Sequence, residues 1–397
     1  MGFGKKKADR IETGHLPGPI ATAYRRIFTR HDRDVERLMF VLDTAEITAR
    51  FLSAVVLCSL RELAQQGKIE LPLIPIGDPK TRLKKPSFGL WMEILREGAR
   101  RLHGNGELFT DEAARKLAME VCDFVFNEHK KTKGRPYDYL DQIVVIRNKV
   151  HHPAEELDIP SMCEEAENLM NKALTELAFF EEYTPYIVKL IQMRQRRMSS
   201  PEYQHKCLLL QGEIDFPTAE SDERDWHTVT NEVLIYRSDT SYLNIDPLFV
   251  YLHADDIDKS KIGQGKNAEE LFPGMYCFAG FASKSSGLVV DYLPCASSTK
   301  SFRTSNVAFY DEDLTSSLNS GVEELLTLLA GPESESSEKT ATPDATAATE
   351  PAGAATPAPP ELADSSQPSA TPEPEAAAET VESAEPAEKT NPESAST

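Results

Sequence analysis

The residues Arg147-Asn148-Lys149-Val150-His151-His152, followed by Pro153, place a guanidinium, a carboxamide and two imidazoles within six positions. These are the groups that RNA cleavage without a metal requires. A permanently charged guanidinium at Arg147 can hold the scissile phosphate and stabilise its extra negative charge. Histidine titrates near neutrality, so His152 can act as general base on a ribose 2′-hydroxyl or as general acid on the leaving 5′-oxygen. Asn148 can orient either group or donate to a phosphate, and His151 is a possible accessory. On an unbroken helix of 3.6 residues per turn, Arg147 and His152 point about 140° apart. The segment must therefore open near Pro153, or the two groups must act across a dimer seam. Just upstream, Lys130, Lys131, Lys133 and Arg135 supply four formal positive charges. With Lys149 they make a candidate contact for an RNA backbone. The competing reading is structural. Arg147 would pair with an acid such as Asp141 or Glu155, and the histidines would finish a helix at its negative end.

The elements that must position these groups are helical between residues 32 and 200. Asp32 to Gln66 contains no Pro or Gly and carries Val35, Leu38, Met39, Leu42, Phe51, Val55, Leu60 and Leu63 at helical spacing, with Gly67 as the stop. A second helix follows Ser87 and ends at His103-Gly104. A third follows Thr110, read as its N-cap with Asp111 and Glu112 in the first turn. The fourth runs from Tyr137 to His152. The last begins near Pro160 and is expected to continue to Met198, bent at Pro185. The resulting expectation is an α-helical bundle of about five helices over 32–200, preceded by an N-terminal arm over 1–31.

From Tyr203 the period changes. Cys207 to Phe216, Val229 to Tyr236, Tyr242 to Leu252 and Met275 to Tyr292 are rich in Val, Ile, Leu, Tyr and Phe, and polar turn clusters separate them. A small antiparallel β-domain is expected over 203–330, ending in a short helix from Glu312 to Leu329. Residues 331–397 hold eleven prolines and no aromatic residue. That composition cannot offset its ordering entropy and predicts a disordered acidic tail. The whole chain reads as α+β and multidomain.

Composition narrows the function classes. The formal charge of −21 is uneven: residues 1–200 carry +3, and residues 201–330 and 331–397 carry −12 each. A polyanionic partner for the N-terminal half is therefore not excluded. The longest strongly apolar stretch, Phe51 to Leu60, is half of what a membrane helix needs. The N-terminus lacks the apolar segment of a secretory signal. Lys6 stands where N-myristoylation wants Ser or Thr. The six cysteines are scattered without metal-ligand spacing, as expected of buried free thiols in a reducing cytoplasm. Asp255, Asp256 and Asp258 lack the glycine and closing Glu of a calcium loop. Neither a metal nor a cofactor is expected.

The run Arg147-Asn148-Lys149-Val150-His151-His152 resembles the R-N-x-x-x-H signature of HEPN domains, helical nucleotide-binding or ribonuclease modules. It is especially similar to the kinase-extension nuclease of the unfolded-protein-response sensor. The resemblance implies that Arg147, Asn148 and His152 are the functional positions. It also implies a helical homodimer that sets two copies of the motif in one cleft, and cleavage without a metal. Leu16-Pro17-Gly18-Pro19-Ile20, Tyr24-Arg25-Arg26 and, later, Tyr242 to Leu248 look similar to segments of uncharacterised bacterial multidomain signalling proteins, a likeness that implies a bacterial setting and carries no activity; stress or defence signalling goes with the HEPN-like reading. Two function classes stand: an RNA-binding or RNA-cleaving HEPN-like module, and a non-catalytic helical dimerisation protein whose β-domain binds a protein partner.

Overall fold

The computed structural model describes residues 10–30, 32–127, 134–153, 156–194, 202–212, 219–224, 232–238, 241–252, 274–284, 287–295, 302–303 and 312–331. The tail expected to be disordered, residues 332–397, lies outside the described residues, as do Lys130, Lys131, Lys133 and Glu155. The described chain is mixed helix and sheet, with eight α-helices and two small antiparallel sheets.

Helix α2 (Val35–Gln65) is the axis of the structure. Asp34 caps it by accepting from the Arg37 N–H at 2.8 Å, and Gly67, with φ +68°, turns the chain after its end. Every residue from Ile47 to Leu60 is buried. A helix apolar on all sides must be covered on all sides. Around it pack α1 (Gly18–Ile27), α4 (Phe88–Gly104), α5 (Glu112–Phe126), α6 (Pro136–His151) and α7 (Ile159–Thr175). The α2–α4 crossing is close because Gly98 lies against Val56: a Cβ at Gly98 would fall well inside the Val56 Cγ1 radius. The short α3 (Pro79–Arg82) joins α2 to α4, and α8 (Glu312–Ala330) returns to pack on α3 and the second sheet.

The first sheet orders its strands β3-β2-β1-β4-β5, with β1 (Pro185–Arg194), β2 (Glu202–Leu209), β3 (Ala219–Arg224), β4 (Val233–Ser238) and β5 (Ser241–Asn244). The second orders β6 (Phe249–Leu252), β7 (Gly274–Lys284), β8 (Gly287–Pro294) and β9 (Phe302–Arg303). Arginines and aromatic rings of α2 bind both sheets. Arg61 donates to the Asn244 and Asp246 carbonyls at 2.8 and 3.0 Å, and the Phe51 ring meets Phe249 edge-on at 5.2 Å. On β7, the bulge at Gly280 (φ +141°) sits so close to the Lys84 carbonyl that any side chain there would collide with backbone. One continuous cluster of buried residues runs from Leu16 to Leu329 through helices and sheets alike.

Four departures from the sequence reading have physical causes. The last helix stops at Thr175, and after a 3-10 turn Pro185 opens β1 instead of bending a helix. The helical region therefore ends well before residue 200. Pro is tolerated at the first residue of a strand, and the β-branched Ile187, Val188 and Ile191 suit the pleat better than the helix. Within the span read as an N-terminal arm, residues 18–27 form α1, a helix the sequence reading did not assign, with Leu16, Ile20, Tyr24 and Ile27 in the core. The cap of α5 is Asp111, which accepts from the Ala113 N–H at 2.9 Å, rather than Thr110. The expected strand over Tyr242 to Leu252 divides at Ile245–Leu248 into β5 and β6, which belong to different sheets.

Candidate functional site

Helix α6 carries Arg147 to His151 of the motif, and His152 is its C-cap. Pro136 starts it, where its fixed φ suits a first turn. Tyr137, Leu140, Ile143 and Ile146 anchor it in the core, and the Tyr137 hydroxyl donates to the Met92 carbonyl at 3.1 Å. The opposite face, Asp141, Gln142, Val145, Asn148 and Lys149, is exposed, with half of the Val145 surface open to solvent.

The helix ends where the motif does. His151 is its last residue, and His152 is the C-cap, its φ of −132° and ψ of 65° leaving the helix while its N–H still donates to the Asn148 carbonyl at 3.0 Å. The opening expected near Pro153 is therefore present. Asn148, Lys149, His151 and His152 are all exposed. Lys149 and His151 lie in the last turn, where positive charge complements the helix dipole.

Arg147 lies on the flank of α6 that faces α2. Its side chain is 29% exposed, and its Nη2 stands 3.9 Å from Glu46 Oε2. Among the described residues, the acid it leans toward is thus Glu46 and not Asp141; Glu155 lies outside the described residues. Glu46 is already committed: Arg50, four residues on, binds its other oxygen. Among the described residues, no side-chain hydrogen bond or ion pair joins Arg147 or Asn148 to His152. One copy of the chain therefore turns the Arg147 guanidinium toward α2 with no contact to the His152 imidazole, while His151, four residues after Arg147, follows it on the same flank of the helix.

Arg135, the described end of the basic run, caps the other end of α6 and is held by Asp138, at 2.9 Å from Nε and 2.8 Å from Nη2. That bond raises its pKa further above the usual guanidinium value. By helix rise it lies about 21 Å from Lys149. Arg135 and the histidines are therefore at opposite ends of one helix, and no compact patch unites Arg135 with Lys149.

Two features escaped the sequence reading. Glu46 is the first, since nothing local connects it to a residue a hundred positions on. The second is a cavity of about 250 Å³ where α2, α5 and the β4–β5 hairpin meet, lined by Glu62, Phe109, Asp111, Arg237, Ser241 and Tyr242 among others. Arg237, with only 5% of its side chain exposed, binds both Glu62 oxygens at 2.9 Å. Ser241 donates to Asp111. No α6 residue lines this cavity. Among the described residues, no group of three or more His, Cys, Asp or Glu side chains could hold a metal ion, and no helix is long and apolar enough to cross a membrane. No protein-family model, curated protein or solved structure matches the chain.

Proposed function

We propose that the chain is a HEPN-like module that binds and cleaves single-stranded RNA without a metal, acting as a homodimer in a bacterial stress or defence response. The observation that supports this most is the end of α6. It turns Asn148, Lys149, His151 and His152 out to solvent just where the helix opens, and leaves Arg147 partly exposed and only loosely held at 3.9 Å. In this reading one His152 takes the proton of a ribose 2′-hydroxyl. The freed oxygen attacks the adjacent phosphorus, the bond to the 5′-oxygen breaks, and an imidazolium returns a proton to that oxygen. Arg147 neutralises the crowded phosphorane, and Asn148 orients it. The products are a 2′,3′-cyclic phosphate and a 5′-hydroxyl. The separation of Arg147 from His152 in one copy favours a dimer, because a second α6 end brings the second imidazole and completes a cleft. Val145, apolar and exposed at the middle of the outward face, is the natural contact.

Sedimentation and RNA cleavage test this together. The native chain should sediment as a dimer and cleave. Val145→Asp, at an exposed position, should keep its melting temperature, fall to a monomer and lose cleavage. A monomeric native chain with full activity would overturn the dimeric site.

One observation favours a second reading, a non-catalytic interaction protein. Arg147 has an acidic neighbour in its own chain, Glu46, which is mostly buried. A guanidinium used structurally is not free for phosphate, and the β-sheets would then serve a protein partner.

A further inference from the structure

Cys277 on β7 and Cys295 just after β8 meet in the core. Cys277 is paired in register with Leu293, and the Cys295 N–H donates to the Met275 carbonyl at 2.9 Å, so the ladder continues past Pro294. Cys295 thus falls two residues beyond the Cys277 partner, on the same face of the hairpin. The two side chains are 2% and 1% exposed and hydrogen-bond to one another through their thiols. Beside them lies a fixed cation. Arg50 Nη1 is 3.9 Å from Cys277 Sγ and also donates to the Phe278 carbonyl; its Nη2 binds Glu46, and its guanidinium lies 5.5 Å from the Trp91 ring centre. Two sulfurs in contact next to a rigidly held guanidinium is more than core packing requires, since a buried thiol is ordinarily inert and has no need of a charge.

We propose that Cys277 and Cys295 are a redox site, oxidised to a disulfide by hydrogen peroxide, with Arg50 as the group that stabilises the attacking Cys277 thiolate. The Cys277 sulfur attacks one peroxide oxygen, the O–O bond breaks, and the departing oxygen takes a proton and leaves as water, giving a sulfenic acid. The Cys295 sulfur then attacks Cys277 sulfur. The S–S bond forms, the S–O bond breaks, and hydroxide leaves with the Cys295 proton as a second water. Two thiols lose two electrons, and the peroxide gains them. The electrostatics single out Cys277 as the attacking group, while burial and then the hydrogen bond with Cys277 raise the Cys295 thiol well above its ordinary value. The hydrogen bond from Cys295, with the charge of Arg50, lowers the pKa of the Cys277 thiol. Burial instead raises Cys58 to about 11 and Cys163 to about 12.

The test treats the reduced full-length chain with graded hydrogen peroxide, blocks free thiols, and maps peptides without reduction. A cross-link between the Cys277 and Cys295 peptides should form before Cys58 or Cys163 is oxidised. Arg50→Met should slow it by about tenfold, the thiolate lost when a thiol pKa rises by one unit. That variant removes a buried charge, so a second keeps the test independent of its folding: Cys295→Ser should accumulate a sulfenic acid on Cys277 that dimedone traps. The proposal is overturned if no such cross-link forms, if Cys277 is oxidised no faster than Cys58 and Cys163, if folded Arg50→Met cross-links at the native rate, or if Cys295→Ser traps no adduct at Cys277.

Discussion

Glu46 decides whether Arg147 is a structural cation or one available to a ligand, and double-mutant cycles measure it. The carboxylate stands between two guanidiniums in unlike settings. The Arg50 side chain is 6% exposed and hydrogen-bonded to Glu46. Removing one partner of such a buried pair costs about 3–5 kcal/mol, because the other charge is left uncompensated. Arg147 is 29% exposed at 3.9 Å, too long for a hydrogen bond. Two unit charges at about 4 Å interact by about 1 kcal/mol in water and about 4 kcal/mol at an effective dielectric of 20. Measured pairs with solvent access give about 0.2–1 kcal/mol, so the Glu46–Arg147 coupling should fall below about 1 kcal/mol. Urea unfolding of the native chain, Glu46→Gln, Arg147→Met and the double variant gives that coupling directly. The same cycle with Arg50→Met should give more than about 2 kcal/mol. A coupling above about 2 kcal/mol between Glu46 and Arg147 would refute the reasoning, since the guanidinium would then be an integral part of the fold.

Further predictions concern the frame that holds this site. Gly98→Ala should destabilise by about 1–3 kcal/mol through its collision with the stiff Val56 side chain. In a Val56→Ala background the same change should become neutral or stabilising, by up to about 1 kcal/mol of helix propensity, read by chemical denaturation. Arg37→Met should cost about 3–5 kcal/mol, because Glu167, only 3% exposed, would lose the partner it binds from α2. Thermal melts can check this against an exposed control such as Arg100→Met. Asp246 is buried with Oδ1 unpaired, and burial raises its pKa well above the ordinary carboxylate value. Its folded pKa thus exceeds its unfolded one, so its favourable contribution is complete below the unfolded pKa and is lost as pH rises through the folded pKa. Asp246→Asn should therefore melt higher than the native chain at pH 8, by a margin that shrinks toward pH 4. An equal margin at both pH values would contradict the assignment.

The helical frame was largely legible because its signals are local. The apolar stripe and the Gly67 stop define α2, and the Ser87 cap and the helix-ending Gly104 define α4. The mixed helix-and-sheet class followed from the change of period after residue 203. What escaped needed partners distant in sequence. The stretch from Pro185 reads equally as helix or strand until pairing with Leu209 and Ile235 fixes it as β1. Helix α1 hides behind Pro17-Gly18-Pro19, although proline at the start of a helix is itself a signal. At the site, Arg147, Asn148 and His152 and the break after His151 could be read from the motif and Pro153. Glu46 could not, because α2 brings it to Arg147 only in the folded chain.

Incubation of a single-stranded RNA with the native chain and with His152→Ala, both in excess EDTA, tests the central claim most directly. The account predicts fragments ending in 2′,3′-cyclic phosphate from the native chain, and loss of cleavage in the variant at an unchanged melting temperature, since His152 is exposed. Cleavage that survives the His152→Ala change, or a native chain that leaves the RNA intact, would contradict it.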